Sequence, residues 1–376
     1  MIPFHRYTCS VIPALESIDW YSFLGRPQLP SPPPSAVESI ARNPILITGA
    51  GGSIGGALAH RLAAAGAELI LLESSESHLF NLQFDLADAH SACSPKFYLG
   101  STGDRILLDE IFLRHQPGLV FHAAAFKQVP LLEEQPFAVI SNNILATQSL
   151  VAAAAAHRSK TILLSTDKAV APVSIMGATK RVAEQITLAA GGTALRLANV
   201  LGSRGSVAEI FAHQIAAGSA LTVTDPAARR FFLTIPEAVN LLLAATDEPV
   251  PQLFVPDLRL PHYIADLARF MAHTLAPGRD IPIEFTQLRA GDKESEALFS
   301  PTETPHVAQA NGLMPVDSPR LRLGHLHDLL EELKAASQSR NRAAALSILQ
   351  RLVPDYLPSP VVEGFPLRAE PPVHNV

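Results

Sequence analysis

The stretch Thr48-Gly49-Ala50-Gly51-Gly52-Ser53-Ile54-Gly55 follows a short apolar run that begins at Ile45, and it opens a long, alanine-rich helical segment. Gly49 permits a tight turn from strand to helix, Gly52 lets backbone amides approach a pyrophosphate, and Gly55 lets the helix pack closely on the sheet. The N-terminus of that helix, at Ser53 and Ile54, would face the anion. Strand, glycine turn and helix together predict a dinucleotide-binding turn.

An acidic residue, Glu73, lies at the end of the second predicted strand. Its carboxylate would accept hydrogen bonds from ribose hydroxyls and would repel a 2′-phosphate. The sequence therefore predicts NAD rather than NADP as the cofactor. A glycine turn alone can be purely structural, so this prediction depends on the strand, the helix and the acidic residue together.

Beyond the glycine turn, short apolar runs alternate with helical stretches. The predicted strands are Ile45 to Thr48, Glu68 to Leu72, Lys96 to Leu99, Leu119 to His122, Thr161 to Ser165 and Ala194 to Leu197, and the first helix is Ser53 to Ala65. Short apolar strands with crossover helices predict an α/β fold with a doubly wound parallel sheet. We place this sheet in 44–199, a smaller α/β substrate-binding region with C-terminal helices in 200–357, a leader in 1–43 and a proline-rich tail in 358–376.

The composition is that of an acidic enzyme. The 376 residues are 48% apolar, with a formal charge of −6 and no basic run to attract nucleic acid or an anionic membrane. Cys9 and Cys93 lack the spacing of a metal site or a disulfide framework, so we expect no metal. The longest apolar candidate, Leu150 to Ala156, is too short for a membrane span, and no signal peptide is evident, so we expect a cytoplasmic protein. The leader ends in Leu29-Pro30-Ser31-Pro32-Pro33-Pro34-Ser35, which predicts a stiff, extended segment rather than a folded element.

The candidate catalytic region is Ser165-Thr166-Asp167-Lys168 at a strand end, followed by a helix with Met176 and Lys180. Residues four apart share a helix face, so Met176 and Lys180 would both point at a nicotinamide, in the geometry of a Tyr/Lys pair. No tyrosine in the chain has a lysine four residues later. Because methionine cannot exchange a proton with a sugar hydroxyl, Asp167 and Lys168 are the nearest ionisable candidates. Taken singly, an Asp-Lys pair at a strand end is usually a solvated turn, and a methionine on a helix usually belongs to the hydrophobic core. Their combination at this edge of the sheet indicates a catalytic site.

Six segments resemble the signature segments of the polysaccharide-biosynthesis nucleotide-sugar 4,6-dehydratases, which belong to the extended short-chain dehydrogenase/reductase superfamily. The resemblance runs from about Trp20 to Tyr356. The six segments are Gly49 to Gly55, His122 to Pro130, Ser165 to Val170, Met176 to Arg181, Asn199 to Val207 and Leu288 to Lys293.

This resemblance implies a reaction in which NAD is reduced and reoxidised within one turnover. Hydride leaves C4 of the sugar, the C5 proton is removed, water is lost from C6 and hydride returns to C6. The resemblance implies that Lys168 is the base and Asp167 the acid, that Thr166 polarises the C4 oxygen, and that Lys180 holds the nicotinamide ribose. A base of this kind needs a lowered pKa, which burial or neighbouring positive charge would supply to Lys168.

The resemblance also implies a substrate, a UDP-sugar, with UDP-N-acetylglucosamine the expected one. Segments that hold the diphosphate and nucleoside in relatives contain Asn199, Arg204, Arg230 and Arg289, and arginine's planar fork suits phosphate oxygens. Within the alanine-rich segment after the fourth strand, Ala123 and Ala124 are expected at the cofactor and Lys127 at the sugar. Each arginine alone could equally form a surface ion pair.

Several positions depart from the pattern of these relatives. Phe126 and Gln128 stand where relatives have tyrosine and histidine, and Ser101 where an aspartate contacts adenine, which would alter substrate choice, rate or NAD retention. Ala290 and Asp292 replace proline and glutamate. Two alternatives to the dehydratase therefore stay open: a nucleotide-sugar epimerase, against which the missing tyrosine argues, and a non-catalytic nucleotide-sugar-binding subunit.

Two expectations concern the ends of the chain. Phe23-Leu24-Gly25-Arg26 resembles the stretch that joins a membrane-spanning region to the catalytic one in long relatives, which implies that this chain corresponds to the soluble catalytic portion. A homo-oligomer is expected from the scaffold, with the helical stretch His325 to Ser337 as a candidate interface.

Overall fold

A computed structural model of the chain describes Leu15 and residues 17–247 and 252–364. The rest of the predicted leader and the tail from residue 365 lie outside the described residues, as does Cys9.

Fifteen strands are present in the described residues. In chain order they are β1 Ile45–Thr48, β2 Leu69–Glu73, β3 Lys96–Leu99, β4 Leu119–His122, β5 Lys160–Thr166, β6 Thr193–Leu197, β7 Asn199–Val200, β8 Leu221–Val223, β9 Arg229–Arg230, β10 Phe232–Leu233, β11 Leu253–Pro256, β12 His262–Tyr263, β13 Ile283–Phe285, β14 Thr304–Pro305 and β15 Leu313–Asp317.

Helices separate most of these strands. They are Trp20–Leu24, Pro34–Ile40, Ser53–Ala63, Glu76–Ala89, Arg105–His115, Val129–Glu133, Pro136–Val139, Ala146–Ala156, Ile175–Ala189, Val207–Ala217, Ile235–Ala244, Ile264–Leu275, Leu323–Gln338 and Arg342–Leu352, with a π-helical turn Ile140–Leu145 and a 3-10 turn Asp167–Ala169.

The central sheet confirms the predicted doubly wound α/β fold. Its order is β14-β15-β11-β6-β5-β4-β1-β2-β3, and β1 to β6 are all parallel. Every residue of β1, β2 and β4 is buried, because helices cover both faces. The order reverses between β1 and β4, which leaves a crevice at their carboxyl ends where ligands bind in such sheets.

The six predicted strands all form: three have the predicted bounds, and the bounds of the other three differ by one residue at one or both ends. The first helix ends at Ala63 rather than Ala65. Three strands from beyond residue 200, namely β11, β15 and β14, extend the same sheet past β6. The division of the chain at residue 199 therefore stays a proposal about the roles of its two halves.

The described part of the leader is partly helical and docked on the rest of the chain, which corrects the prediction that the leader does not fold, although residues 29–33 form neither helix nor strand. It forms the helices Trp20–Leu24 and Pro34–Ile40, the second of which begins within the proline-rich stretch. Proline is favoured in the first turn of a helix, because the amide hydrogen it lacks would be unpaired there. Arg26 forms an ion pair with the fully buried carboxylate of Glu237 at 2.6 Å, so a specific contact holds the leader to the second half of the chain.

The C-terminal helices cover the helix Ile175–Ala189 that carries the predicted catalytic lysine. Leu329, Leu333 and Leu349 are fully buried in a core cluster that includes residues of this helix. The apolar face of the helix Leu323–Gln338 is thus used within the chain, and its predicted role in an oligomer interface is untested. Beyond these helices, Ser359 donates a hydrogen bond to the buried Glu133, whose other oxygen accepts from the amide of Ile175 at 2.7 Å.

One helical segment of the described chain, 136–156, is long and apolar enough by length and composition to cross a membrane. Of its apolar window, 56% is buried inside the protein. It packs against β5 and against the helices on either side, as a core helix does. The segment is therefore weak evidence for a membrane span.

Candidate active site

The carboxyl ends of β1, β2, β4, β5 and β6 open onto one cavity of about 1000 Å³. The cavity brings together predicted site residues from distant segments, since all but Asp167 contribute to its wall. Those in the wall are Gly49, Gly52, Ser53, Ile54, Gly55, Glu73, Ala123, Ala124, Lys127, Thr166, Lys168, Met176, Lys180, Asn199, Arg204, Arg230 and Arg289. Among the described residues, no tyrosine lines the cavity.

The glycine turn has no room for side chains where a nucleotide would lie. Gly49 has φ +64°, and a Cβ there would come within 2.7 Å of the backbone of Ala124. A Cβ on Gly55 would overlap the carbonyl oxygen of Gly49. The turn therefore brings bare backbone and a helix N-terminus to the cavity wall, which is a cradle for a pyrophosphate.

Glu73 lies in the same wall and is 8% exposed. Its carboxylate accepts hydrogen bonds from the amides of Gly51, Ser74 and Ser75 at 2.9 to 3.0 Å. These bonds join the glycine turn to the loop after β2. Each carboxylate oxygen has more than one acceptor site, so Glu73 can also accept from a ribose hydroxyl.

Two polar residues that the sequence did not suggest organise the segment after β4. His122 is buried between the hydroxyls of Thr48 at 2.7 Å and Thr147 at 2.8 Å, and burial lowers its pKa to about 3, so the imidazole is neutral. Asn143 holds the backbone of Phe126, accepting from its amide at 2.9 Å and donating to its carbonyl at 3.0 Å. No spacing motif marks Asn143, because its partners are distant in sequence.

Met176 and Lys180 lie on the helix Ile175–Ala189 and both reach the cavity, as their spacing predicts. The Lys180 ammonium donates to the carbonyl of Leu164 at 2.6 Å. Burial lowers the pKa of Lys180 to about 8. Met176 is 4% exposed, so an apolar thioether occupies this part of the wall.

Thr166, Asp167 and Lys168 form a connected group at the end of β5. Oδ1 of Asp167 accepts from the hydroxyl of Thr166 at 2.9 Å and from Nζ of Lys168 at 3.0 Å. Its Oδ2 is buried and has no hydrogen-bond partner among the described residues. Burial raises the pKa of Asp167, although the adjacent Lys168 charge opposes this. Asp167 thus lies behind the cavity wall, whereas Thr166 and Lys168 lie in it.

The pKa of Lys168 is raised, opposite to the fall that a base requires. Burial alone would lower it, but the carboxylates of Asp167 and Glu296 outweigh burial. Nζ also donates to Oδ1 of Asn199 at 2.9 Å. In this structure Lys168 is therefore an ammonium group surrounded by oxygen atoms.

Lys127 and Arg204 meet over the glycine turn. The Arg204 guanidinium donates to the carbonyl of Gly51, and its amide donates to Oγ of Ser53 at 3.0 Å. Nζ of Lys127 donates to the Arg204 carbonyl at 2.6 Å. This loop therefore places two positive charges close to the predicted pyrophosphate position.

Arg230 and Arg289 differ in how much of each is free for a ligand. Arg230 is buried and donates to the carbonyls of Arg229, Lys293 and Glu294 at 2.7 to 3.0 Å, so much of its guanidinium is occupied. Arg289 is exposed, and among the described residues its guanidinium has one hydrogen-bond partner, Asp292, which accepts from Nε at 2.8 Å. Its two outer nitrogens are free to meet a phosphate at the cavity mouth.

A buried ion network lies behind the catalytic strand. The fully buried Arg196 on β6 donates four hydrogen bonds of 2.8 Å, two each to Glu184 and Glu303. Arg181 adds a 2.6 Å bond to Glu303, and the hydroxyl of Ser165, next to Thr166, donates to Glu184 at 2.6 Å. The network ties β5, β6 and the helix Ile175–Ala189 together.

Three of the positions that depart from the relatives' pattern, Ser101, Phe126 and Gln128, lie at the exposed part of the site. Phe126 is 45% exposed in the cavity wall, and Gln128 donates at 3.5 Å to the carbonyl of Gly205. Ser101 lines the cavity, and its hydroxyl accepts from the amide of Gly103 at 3.1 Å. These residues therefore shape the entrance rather than the Thr166-Asp167-Lys168 group.

The fold and the cavity define an extended short-chain dehydrogenase/reductase that is related to nucleotide-sugar enzymes. Residues 45–317 match the family described as polysaccharide biosynthesis protein, and the chain belongs to this family. It is 39% identical over 277 residues to the probable polysaccharide biosynthesis protein EpsC of Bacillus subtilis, covering 70% of this chain and 46% of EpsC. It is 36% identical to the capsular polysaccharide biosynthesis protein CapD of Staphylococcus aureus, covering 77% of this chain and 50% of CapD.

The chain therefore spans about half the length of these two relatives. A relative of more similar length is the UDP-glucose 4-epimerase of Rickettsia rickettsii, 34% identical over 72% of this chain and 80% of that protein. Among solved structures, Pen from Bacillus thuringiensis has a TM-score of 0.68 at 26% identity, covering 75% of this chain and 89% of Pen. DesIV, a dTDP-glucose 4,6-dehydratase from Streptomyces venezuelae solved with NAD, shares the fold, with a TM-score of 0.59 at 18% identity, covering 68% of this chain and 88% of DesIV.

Proposed function

We propose that the protein is an NAD-dependent 4,6-dehydratase, a lyase that converts a UDP-sugar into a 4-keto-6-deoxy sugar nucleotide. One observation carries the proposal. Lys180, Thr166 and Lys168 line a single cavity in which methionine, not tyrosine, lies one helical turn before Lys180. A site with an Asp-Lys pair and no tyrosine favours proton removal from carbon over simple oxidation and reduction of a hydroxyl.

The residues of the glycine turn fit a dinucleotide. Gly49 and Gly55 let the turn and its helix pack closely on neighbouring backbone, which would present the helix N-terminus to the pyrophosphate, and Glu73 would face the adenosine ribose. Ala123 and Ala124 would flank the cofactor, and Lys180 would hold the nicotinamide ribose. Bound there, NAD supplies the reversible hydride chemistry that the reaction needs. Tighter binding of NADP than of NAD would contradict the role of Glu73.

The catalytic roles proposed for the three residues at the end of β5 are those that the resemblance implies. Thr166 would donate a hydrogen bond to the C4 oxygen, and the Lys168 amine would take the C5 proton. Asp167 would give a proton to the departing C6 hydroxyl, for which its raised pKa suits it. Because Asp167 lies behind the wall, a small movement of its side chain, or a water molecule, must connect it to the sugar.

The substrate side of the cavity supports a nucleoside diphosphate. Arg204 and Arg289 would contact the phosphates, because both carry guanidinium donors at the cavity wall. Asn199 and Lys127 would lie nearer the sugar, and Arg230 would act by holding the segment 293–294. UDP-N-acetylglucosamine is the proposed sugar nucleotide, polysaccharide synthesis the proposed process, and the cytoplasm the proposed location.

Incubation with UDP-N-acetylglucosamine in deuterated water, followed by mass spectrometry, tests the proposal. Dehydration through C5 predicts loss of one water and gain of deuterium at C5. The matched control is Lys168→Ala, which keeps the glycine turn and should bind NAD without forming product. Bound NAD with unchanged substrate would move the assignment to another sugar or to a binding subunit.

A nucleotide-sugar 4-epimerase is the second candidate. It is favoured by the 34% identity to a protein named UDP-glucose 4-epimerase. Such an enzyme returns hydride to C4, so the product has unchanged mass and altered configuration. The described part of the cavity wall contains no tyrosine, which argues against it, and chromatographic separation of the two C4 epimers would decide.

A further inference from the structure

Glu296 is a buried carboxylate that neither the glycine turn nor the Asp-Lys pair requires. Its side chain is 2% exposed. Three positive groups surround it: Nζ of Lys293 at 3.1 Å, Nζ of Lys168 at 3.6 Å and Nε of Arg230 at 4.0 Å. Burial opposes ionisation, but these charges outweigh it and lower the pKa of Glu296, so the group carries a negative charge.

Lys168 has three oxygen atoms around its nitrogen, from Asp167 at 3.0 Å, Asn199 at 2.9 Å and Glu296 at 3.6 Å. The contacts with Asp167 and Asn199 are hydrogen bonds, whereas Glu296 at 3.6 Å lies beyond hydrogen-bond distance and forms an ion pair with the ammonium group. A neutral amine would lose the attraction of both carboxylates. The arrangement therefore fits a protonated Lys168. Of the three groups, Glu296 is the one that is also close to positively charged side chains from the second half of the chain.

We propose, on the basis of the dehydratase function above, that Glu296 is a positioning residue that keeps one proton on the Asp167–Lys168 pair until dehydration. The proton starts on Nζ of Lys168. Its transfer to Oδ1 of Asp167, 3.0 Å away, breaks one N–H bond, forms one O–H bond and leaves a neutral amine beside a carboxylic acid. These are the base and the acid that dehydration needs.

The pair holds the same number of protons at the end of the dehydration step as at its start. The Lys168 amine takes the C5 proton, and Asp167 gives its proton to the C6 hydroxyl, which leaves as water. The pair is then an ion pair again and still holds one proton. If the pair loses that proton to solvent, Asp167 is a carboxylate with nothing to donate, and dehydration stops.

Removal of the Glu296 charge should therefore let the pair lose its proton at lower pH. An opposite charge within about 4 to 6 Å shifts a pKa by about one to three pH units. In Glu296→Gln, deprotonation of Lys168 should move to lower pH by that amount. The charged groups facing the pair are Glu296 and Arg230, and the variant leaves Arg230 in place.

The matched control is Glu294→Gln, two residues away. Its side chain is exposed, and only its backbone carbonyl contacts Arg230. The control removes the same charge from the same segment without altering the surroundings of Lys168. We expect its Lys168 titration to match that of the wild type.

The first measurement is NMR of protein labelled with ¹³C at lysine Cε, titrated from pH 7 to 11. The chain has seven lysines, and Lys168→Arg identifies the relevant signal. This measurement needs neither sugar nor turnover. A Lys168 signal that titrates alike in Glu296→Gln and Glu294→Gln would overturn the proposal.

The second measurement is the pH dependence of kcat/KM for dehydration. Its high-pH limb should shift to lower pH in Glu296→Gln and not in Glu294→Gln, an effect that a merely structural residue would not produce. Glu296→Asp keeps the charge, so it should restore most of the wild-type limb, and a limb shifted as far as that of Glu296→Gln would contradict the proposal. If Glu296→Gln does not fold, Glu296→Ala removes the same charge, and a Lys168 titration in that variant identical to that of the wild type overturns the proposal. A shifted NMR titration without any dehydration would support the effect of Glu296 on the Lys168 pKa and would refute the dehydratase function instead.

Discussion

The buried ion network behind the catalytic strand makes a prediction about acid stability through Glu303. Burial alone would raise the pKa of this carboxyl, but the hydrogen bonds and charge of Arg196, with the charge of Arg181, lower it from 4.5 to about 2. At about 1.36 kcal/mol per pH unit, that gap corresponds to about 3 kcal/mol of stability. Because the folded-state pKa is lowered, this stability is present above pH 4.5 and is lost as the pH falls towards 2.

Glu303→Gln keeps the shape of the side chain and removes its charge. We expect a loss of about 3 kcal/mol in the free energy of unfolding at pH 7, and about half of that difference at pH 3. Urea unfolding at both pH values, followed by circular dichroism, measures it. The matched control is Glu332→Gln, whose partner Arg351 lies at 2.5 Å on the surface and is 48% exposed. An exposed pair contributes about 0 to 1 kcal/mol, so equal losses in the two variants would refute the reasoning.

Three further predictions concern the site and the leader. Lys168→Ala should retain NAD, measured by its absorbance in the purified protein, and lose dehydration; turnover at the wild-type rate would reassign the base. In Gly55→Ala the new Cβ overlaps the backbone of the turn, so we expect a loss of about 1 to 3 kcal/mol in the free energy of unfolding and weaker NAD binding. In the control Gly56→Ala the nearest neighbour of the Cβ would lie at 3.4 Å, so the loss should be smaller; calorimetry measures both variants. Arg26→Met leaves the buried Glu237 carboxylate without its partner, and we expect a loss of about 3 to 5 kcal/mol; an unchanged Tm would contradict the docking of the leader.

The sheet was predictable from the sequence because its signals are local. Ile45 to Thr48 is a short apolar run that ends in a glycine turn, and that pattern has few other structural solutions. The helix Ser53–Ala63 ends two residues before the predicted end, as is common where helix termini fray. The docking of the leader was not predictable, because it depends on a partner 211 residues away, the Arg26 to Glu237 contact.

The candidate site was predictable only where a motif marked it. The Thr166-Asp167-Lys168 group and Lys180 stand in recognisable segments, and they do meet in one cavity. Asn143 and Glu296 contact, among others, residues 36 and 128 positions away, Thr179 and Lys168, and no spacing reveals such pairs. The raised pKa of Lys168 was missed for the same reason, since the sequence shows burial and adjacent charge but not the carboxylate of Glu296.

The hydrogen bond from Ser359 to Glu133 bears on where the protein can be shortened. Glu133 supports the first amide of the helix Ile175–Ala189, and Ser359 is its partner from beyond the last helix. A chain that stops at Leu352 would keep every strand, yet it would leave this carboxylate short of a donor beneath the helix that holds Met176 and Lys180. Fragments intended for crystallisation or for fusion to a carrier should therefore extend at least to Gly364, the last described residue.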